Sequence, residues 1–174
     1  MTVILETERL ILRLQRPADI DALVDLWSDP AVTHYMGGPR ERDWLRTEFE
    51  EDGRNPAAEQ YDLWPVIEKG SGQLVGNCGL LEKEVAGKAE IELIYVFAAG
   101  AWGNGYATEI GKALIQHAFQ ALELERLIAL IEPENTASER VAQKVGMRFD
   151  REVQRPGGVM RKVYVIESGK RSVD

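Results

Sequence analysis

"YVFAAGAWGNGYATEIGKAL", residues 95–114, passes from an apolar, β-prone run through Gly100, Gly103 and Gly105 into a good helix-former. At such a strand-to-helix junction the first backbone N–H groups have no partner inside the helix. Glycines remove the Cβ atoms that would keep a ligand away from those donors and permit unusual backbone angles. The helix dipole adds partial positive charge, so the junction has the makings of a phosphate or pyrophosphate cradle. The same glycines would also serve a tight turn alone. A P-loop string is absent. The dinucleotide pattern GxGxxG is broken, because Gly103 and Gly105 are followed by Thr108, and hairpin-like strands rather than a βαβ unit precede the loop.

Outward from the junction, "RLILRL" puts Leu10, Leu12 and Leu14 on one face of the first expected strand. "RPADIDALVDLWSDP" predicts a helix with Pro17 at its start and Ile20, Leu23, Val24 and Trp27 on one stripe. A second helix is expected over "ERDWLRTEFEE". "LWPVIEK" and "QLVGNCGLL", joined by Gly70-Ser71-Gly72, predict a hairpin, and "AEIELIYVF" predicts the strongest strand. The helix after the glycines should bury Ala107, Ile110, Leu114, Ala118 and Ala121. "RLIALI" is a further strand, and "ENTASERVAQKVG" a helix in which Thr136 and Glu139 have capping-box spacing. "RFDREVQ" and "MRKVYVIE" form a last hairpin around Pro156-Gly157-Gly158. The expected class is α/β: one domain over 1–174, a mixed sheet flanked by helices.

With 44% hydrophobic and 29% charged residues, the composition is that of a soluble globular protein. No run approaches the ~18 apolar residues of a membrane span, so no membrane partner is expected. The N-terminal stretch carries acids and arginines where a signal peptide needs a clean apolar core, and a cytoplasmic location is expected. Cys78 is the sole cysteine, accompanied by only His34 and His117, so no metal site is expected. A net charge of −8 argues against a nucleic-acid partner and suits a cationic one such as an amine. It also requires that any anionic ligand be held by local features against the global field.

"WGNGYATE" at 102–109, followed by "NTASERVAQKVGM" at 135–147, resembles the GNAT superfamily of acyl-CoA-dependent N-acyltransferases. The similarity is greatest to the branch of ribosomal-protein N-terminal acetyltransferases, and "ETERLILR" and "WSDPAVTHYM" extend it over nearly the whole chain. The resemblance implies a mostly antiparallel sheet of about seven strands and about four helices. It also implies a bulged central strand splayed from its neighbour. Acetyl-CoA is the implied acyl donor, with no metal. The acceptor is an amine, either a protein N-terminus or a small molecule, and a homodimer stays open.

The family's acyl-CoA signature falls on Trp102 to Ala107, with Gly105 and Ala107 at its small positions. Trp102 replaces the usual Gln or Arg, and Asn104 stands where a cation is common. The implied pyrophosphate site is the backbone of Trp102, Gly103, Asn104, Gly105, Tyr106, Ala107 and Thr108. The strand edge at Tyr95, Val96 and Phe97 would pair with the pantetheine amides. A free N–H near Tyr95 or Val96 would serve the developing oxyanion.

Glu92 is the implied base, on a strand where the family often carries a carboxylate; as a strand acid it could equally be solvated, or a water chain could serve instead. Glu90 shares its face by alternation. The tyrosine that many members place seven residues after the asparagine is here Ala142. Ser138, three residues after Asn135, matches the serine of the resembling branch as partner of the leaving sulfur, and could equally be a first-turn hydroxyl. Asn135 is either a pantetheine contact, a helix cap, or both. His34 and Tyr35 are candidates for the acceptor pocket, while His117 is expected as a packed flank of its helix and Trp44 and Trp64 in core or rim packing. A non-catalytic acyl-CoA sensor is the alternative from another functional class.

Overall fold

The computed structural model describes residues 2–54 and 60–169. Eight strands form one sheet: β1 (Val3–Glu6), β2 (Leu10–Arg13), β3 (Leu63–Glu68), β4 (Leu74–Val85), β5 (Lys88–Phe97), β6 (Arg126–Ile131), β7 (Arg148–Gln154) and β8 (Met160–Glu167). Their order is β1-β2-β3-β4-β5-β6-β8-β7, antiparallel throughout except for the parallel pair β5–β6. The helices are α1 (Ile20–Ser28), α2 (Arg42–Asp52), α3 (Tyr106–Gln120) and α4 (Thr136–Lys144).

Alternation along β5 sends side chains into two cores. Leu93 and Phe97 join Ile110, Leu114 and Ala118 of α3 and Ala142 of α4 on one face of the sheet. Val96 joins Ile20, Val24 and Trp27 of α1 and Leu45 of α2 on the other. The sheet is therefore a middle layer, with α3–α4 on one side and α1–α2 on the other. Arg13 and Asp19 tie β2 to the start of α1 through two bonds of 2.6 and 2.8 Å, both residues being buried.

Four expectations change. The sheet has one strand more than anticipated, because β1 is a short half-buried partner of β2 whose alternation is too brief to register in the sequence. Ala121 lies exposed just past the end of α3. The cap of α4 is Asn135, whose Oδ1 accepts the Ser138 N–H at 3.1 Å, rather than Thr136, which is the first helical residue. The β4–β5 register runs from Gly76↔Phe97 to Val85↔Lys88 without a shift, so the expected bulge is absent from that ladder. The strands part on the other side of β5, where only Glu92↔Ile128 is paired with β6.

Candidate active site

The parting of β5 and β6 creates the central slot. The Ala98 N–H bonds to the Val75 carbonyl, which fixes which main-chain groups of β5 face β4. By alternation those of Glu92, Ile94 and Val96 point to β4, while those of Leu93, Tyr95 and Phe97 point toward β6. Beyond the single β5–β6 pair the strands separate, and the Leu130 N–H turns to the Glu92 carboxylate at 3.4 Å. Tyr95 and Phe97 thus present main-chain groups to the opening. Val96, expected there too, spends its own on β4.

At the glycine junction, Gly103 and Gly105 both adopt left-handed φ values, 77° and 78°, which only glycine takes without strain. The first intrahelical amide bond of α3 is Glu109 N–H to Gly105 C=O at 3.0 Å. Among the described residues, the N–H groups of Gly103 through Thr108 meet no protein acceptor. A Cβ at Gly103 would meet nothing within 4 Å. Six amides without a protein acceptor at a helix start are a donor set that fits a diphosphate. The Asn104 side chain turns inward, donating to Ala101 C=O at 3.0 Å, and the Trp102 indole donates to Phe97 C=O at 2.9 Å. A cation does stand at the junction, on Arg9. Its guanidinium stands 4.7 Å over the Tyr106 ring and 3.7 Å from the position of a Gly105 Cβ. Glu109 holds it at 2.7 Å.

A cavity of about 370 Å³ opens between the parted strands, lined among others by Glu92, Tyr95, Asn135 and Ser138. Glu92 and Tyr95 leave opposite faces of β5, Glu92 toward the α1–α2 side and Tyr95 toward the α3–α4 side. Burial raises the Glu92 carboxyl above its ordinary range; Lys83, the Leu130 N–H, Arg155 and Arg161 pull in the other direction without cancelling it. The Tyr95 hydroxyl donates to the Ser138 carbonyl at 3.0 Å and lies 3.0 Å from Ser138 Oγ. Burial pushes this phenol up to about 12, so it keeps its proton across the neutral range.

The expected residues fall into two groups. Glu92, Tyr95, Asn135 and Ser138 share the cavity wall, while Trp102 through Thr108 form the separate junction. Glu90 is committed to Arg126, at 3.2 Å. Tyr35 lines the cavity, and His34 packs edge-on against it with ring centroids 4.5 Å apart. Trp64 is buried in the core, and Trp44, 52% exposed, stands at the rim of a second cavity, the two placements expected. Missed from the sequence were Arg9, although "ETERLILR" contains it, and the cavity cations Arg40, Lys83, Arg155 and Arg161. No sequence spacing connects those four. No group of His, Cys, Asp and Glu among the described residues is placed to hold a metal ion, and no helix among them is long and apolar enough to cross a membrane.

Residues 9–148 match the acetyltransferase (GNAT) domain family. The N-acetyltransferase p20 of Bacillus licheniformis, itself uncharacterized, is 32% identical over 180 aligned positions covering 96% of each chain. A crystal structure of a GNAT-family acetyltransferase from Bacillus anthracis matches with a TM-score of 0.80 and 28% identity, over 98% of this chain and 100% of that one. Spermidine N-acetyltransferase from Vibrio cholerae, solved with CoA and spermine, shares the fold at a TM-score of 0.75 and 18% identity, over 93% of this chain and 97% of its own. The chain belongs to the GNAT acetyltransferase family. It is an acetyltransferase.

Proposed function

We propose that the protein, acting as one domain over 1–174, transfers an acetyl group from acetyl-CoA to a primary amine by direct attack in a ternary complex. The observation that carries this is the run of unpaired amides from Gly103 to Thr108 at the mouth of a parted sheet. Those amides, with the Arg9 guanidinium, take the diphosphate of coenzyme A. The main-chain edge at Tyr95 and the Phe97 N–H receive the pantetheine arm as an added strand would. CoA bound to a structure of this fold supports the same cosubstrate here.

The bound thioester supplies the carbonyl carbon that the amine attacks and the sulfur that departs. An α-amino group, with pKa ≈ 7.7–8.0, is mostly protonated at neutral pH, so it must lose a proton first. Glu92, reached from the α1–α2 face, accepts that proton directly or through water; its raised pKa brings it nearer the working pH. The Tyr95 N–H faces the opening and donates to the charge developing on the carbonyl oxygen. Tyr95 fixes Ser138 from the α3–α4 face, and the Ser138 hydroxyl donates to the departing sulfur. Ser138 thus takes the place of the helix tyrosine replaced by Ala142, with Tyr95 positioning it.

Isothermal titration with CoA tests the cradle. Gly105→Glu puts a side chain and an acid at a left-handed position among the free amides, so binding should disappear while the melting transition survives. Equal affinity in both proteins would place the diphosphate elsewhere. Thiol release from acetyl-CoA, assayed over a panel of peptides and small amines, identifies the acceptor.

A further inference from the structure

The cavity between β5 and β6 has a sign that opposes the rest of the molecule. The chain carries a net charge of −8, yet among the described residues the cavity wall holds Arg40, Lys83, Arg155 and Arg161 against only Glu92 and Glu132. None of residues 98–108 belongs to this wall, so these cations do not serve the glycine junction. They arrive from three places: the segment between α1 and α2, the far half of β4, and the β7–β8 hairpin.

Their partners leave much of this charge uncompensated. Lys83 comes no closer than 3.9 Å to Glu92, and Arg161 no closer than 3.9 Å to Glu132. Charge-assisted hydrogen bonds run at about 2.7–2.9 Å, so both pairs are loose. Arg155 donates to the main-chain carbonyl of Glu84, and Arg161 to that of Met160 at 2.8 Å. Arg40 donates to Gly38 C=O at 2.8 Å and lies 5.1 Å over the Trp27 ring, with no carboxylate bonded to it among the described residues. Burial alone lowers its pKa, and no neighbouring acid raises it. Partly buried guanidinium groups held by neutral carbonyls retain donors for an anion.

Resting on the acetyl-transfer assignment above, we infer that the acceptor is a small amine that also carries an anionic group, a carboxylate or a phosphate, which Arg40, Arg155 and Arg161 hold while Glu92 faces the amine. The cavity's volume of about 370 Å³ lies in the usual range for small-molecule sites, about 300–1,000 Å³. A polyamine would meet this wall charge against charge.

Calorimetric titration of the protein saturated with CoA tests this directly, using matched sets of amines of equal chain length: amino carboxylates, amino phosphates, the carboxamides and the diamines. At least one anionic amine should bind roughly tenfold or more tightly than its amide, as expected for a charge-assisted bond. Whether the carboxylate or the phosphate series gains more identifies the anion. Arg155→Gln and Arg161→Gln, each checked by its melting transition, should abolish the preference while CoA affinity stays unchanged. Diamines or amides binding as tightly as the anionic amines overturns the inference. So does a preference that survives both substitutions, binding only by acidic peptides, or no binding by any small amine. Failure of CoA itself to bind is read in the prior titration and would count against the cofactor assignment instead.

Discussion

The phenolic oxygen of Tyr95 and the Oγ of Ser138 lie 3.0 Å apart, joining the central strand to the first turn of α4 across the open slot. Since the Tyr95 hydroxyl also donates to the Ser138 carbonyl, the strand and the helix are held at a set separation on either side of the slot. Ser138→Ala should lower kcat by roughly tenfold or more with little change in CoA affinity, because a donor to the departing sulfur acts in the transition state. Tyr95→Phe should lower kcat through loss of Ser138 positioning, and the combination with Ser138→Ala should cost little beyond the worse single change. Additive losses would show that the two hydroxyls act separately.

The same phenol leaves a signature in stability. Its folded value of about 12 exceeds the ordinary value of 10.0, so the native state retains a proton that the unfolded chain releases. That contribution is fully present below pH 10 and is lost as pH rises to 12. Denaturation curves between those limits should show the wild type losing up to about 3 kcal/mol more than Tyr95→Phe. Parallel losses in both proteins would mean that Tyr95 is not the group responsible.

Glu92 offers a test that separates catalysis from folding. Its folded pKa is raised by burial, so its favourable linkage is present only at acid pH and is lost as pH rises through the folded value; carrying the charge at pH 7 costs stability. Glu92→Gln removes that cost and retains an oxygen for the Leu130 N–H. The variant should be at least as stable as the wild type at pH 7, while kcat/KM for the amine falls by about 10²–10⁴. In the wild type the acid limb of kcat/KM should sit above the ordinary carboxylate range. A destabilised Glu92→Gln enzyme with full turnover would make the carboxylate structural.

How much of this was legible in the sequence follows from which interactions are local. The glycine junction is read from a few consecutive residues because left-handed backbone and free amides at a helix start are properties of the segment itself. The hairpins at Gly70–Gly72 and Gly157–Gly158 are local in the same sense. Asn135 was visible as a capping candidate, but the box spacing pointed to Thr136, because Glu139 lies three residues after it whereas Ser138 follows Asn135 at that spacing. The Tyr95–Ser138 contact is different, because it depends on how far β5 and α4 are held apart. Lys83, Arg155 and Arg161 share a cavity only because the β7–β8 hairpin folds over the end of β4, and no periodicity encodes that. The bulge was carried over from the family, whereas in this chain the parting is accomplished by unpairing β6, with Glu92 filling the gap.

Arg9 provides a prediction at the junction. It is exposed on one side, bonded to Glu109, and directed at the ring of Tyr106, the first residue of α3. If it supplies the cation that Asn104 does not, Arg9→Gln should weaken CoA binding about five- to tenfold and flatten its dependence on salt, since an exposed ion contact is screened. Titrations at two salt concentrations check this. Unchanged affinity at low salt would leave the amides as the sole diphosphate contact.

The Arg13–Asp19 pair tests what fixes the α1–α2 face, and with it the side of the slot proposed for the acceptor. Its two bonds of 2.6 and 2.8 Å are made between residues each 6% exposed, and Asp19 also accepts the Arg16 N–H at 2.7 Å. Removing one partner strands the other charge away from water, so Asp19→Ala should cost about 3–5 kcal/mol. In a domain of this size that lowers the melting temperature by roughly 10 °C. Arg13→Met combined with Asp19→Asn removes both charges and keeps an acceptor for the Arg16 N–H. This pair should recover at least about 1 kcal/mol relative to Asp19→Ala, because the desolvation of an unpaired guanidinium no longer opposes folding. CoA binding should persist in the double variant, since the junction lies on the opposite face of the sheet, whereas amine affinity should fall if α1 shifts. A double variant less stable than Asp19→Ala would show that the pair contributes net attraction beyond mutual neutralisation.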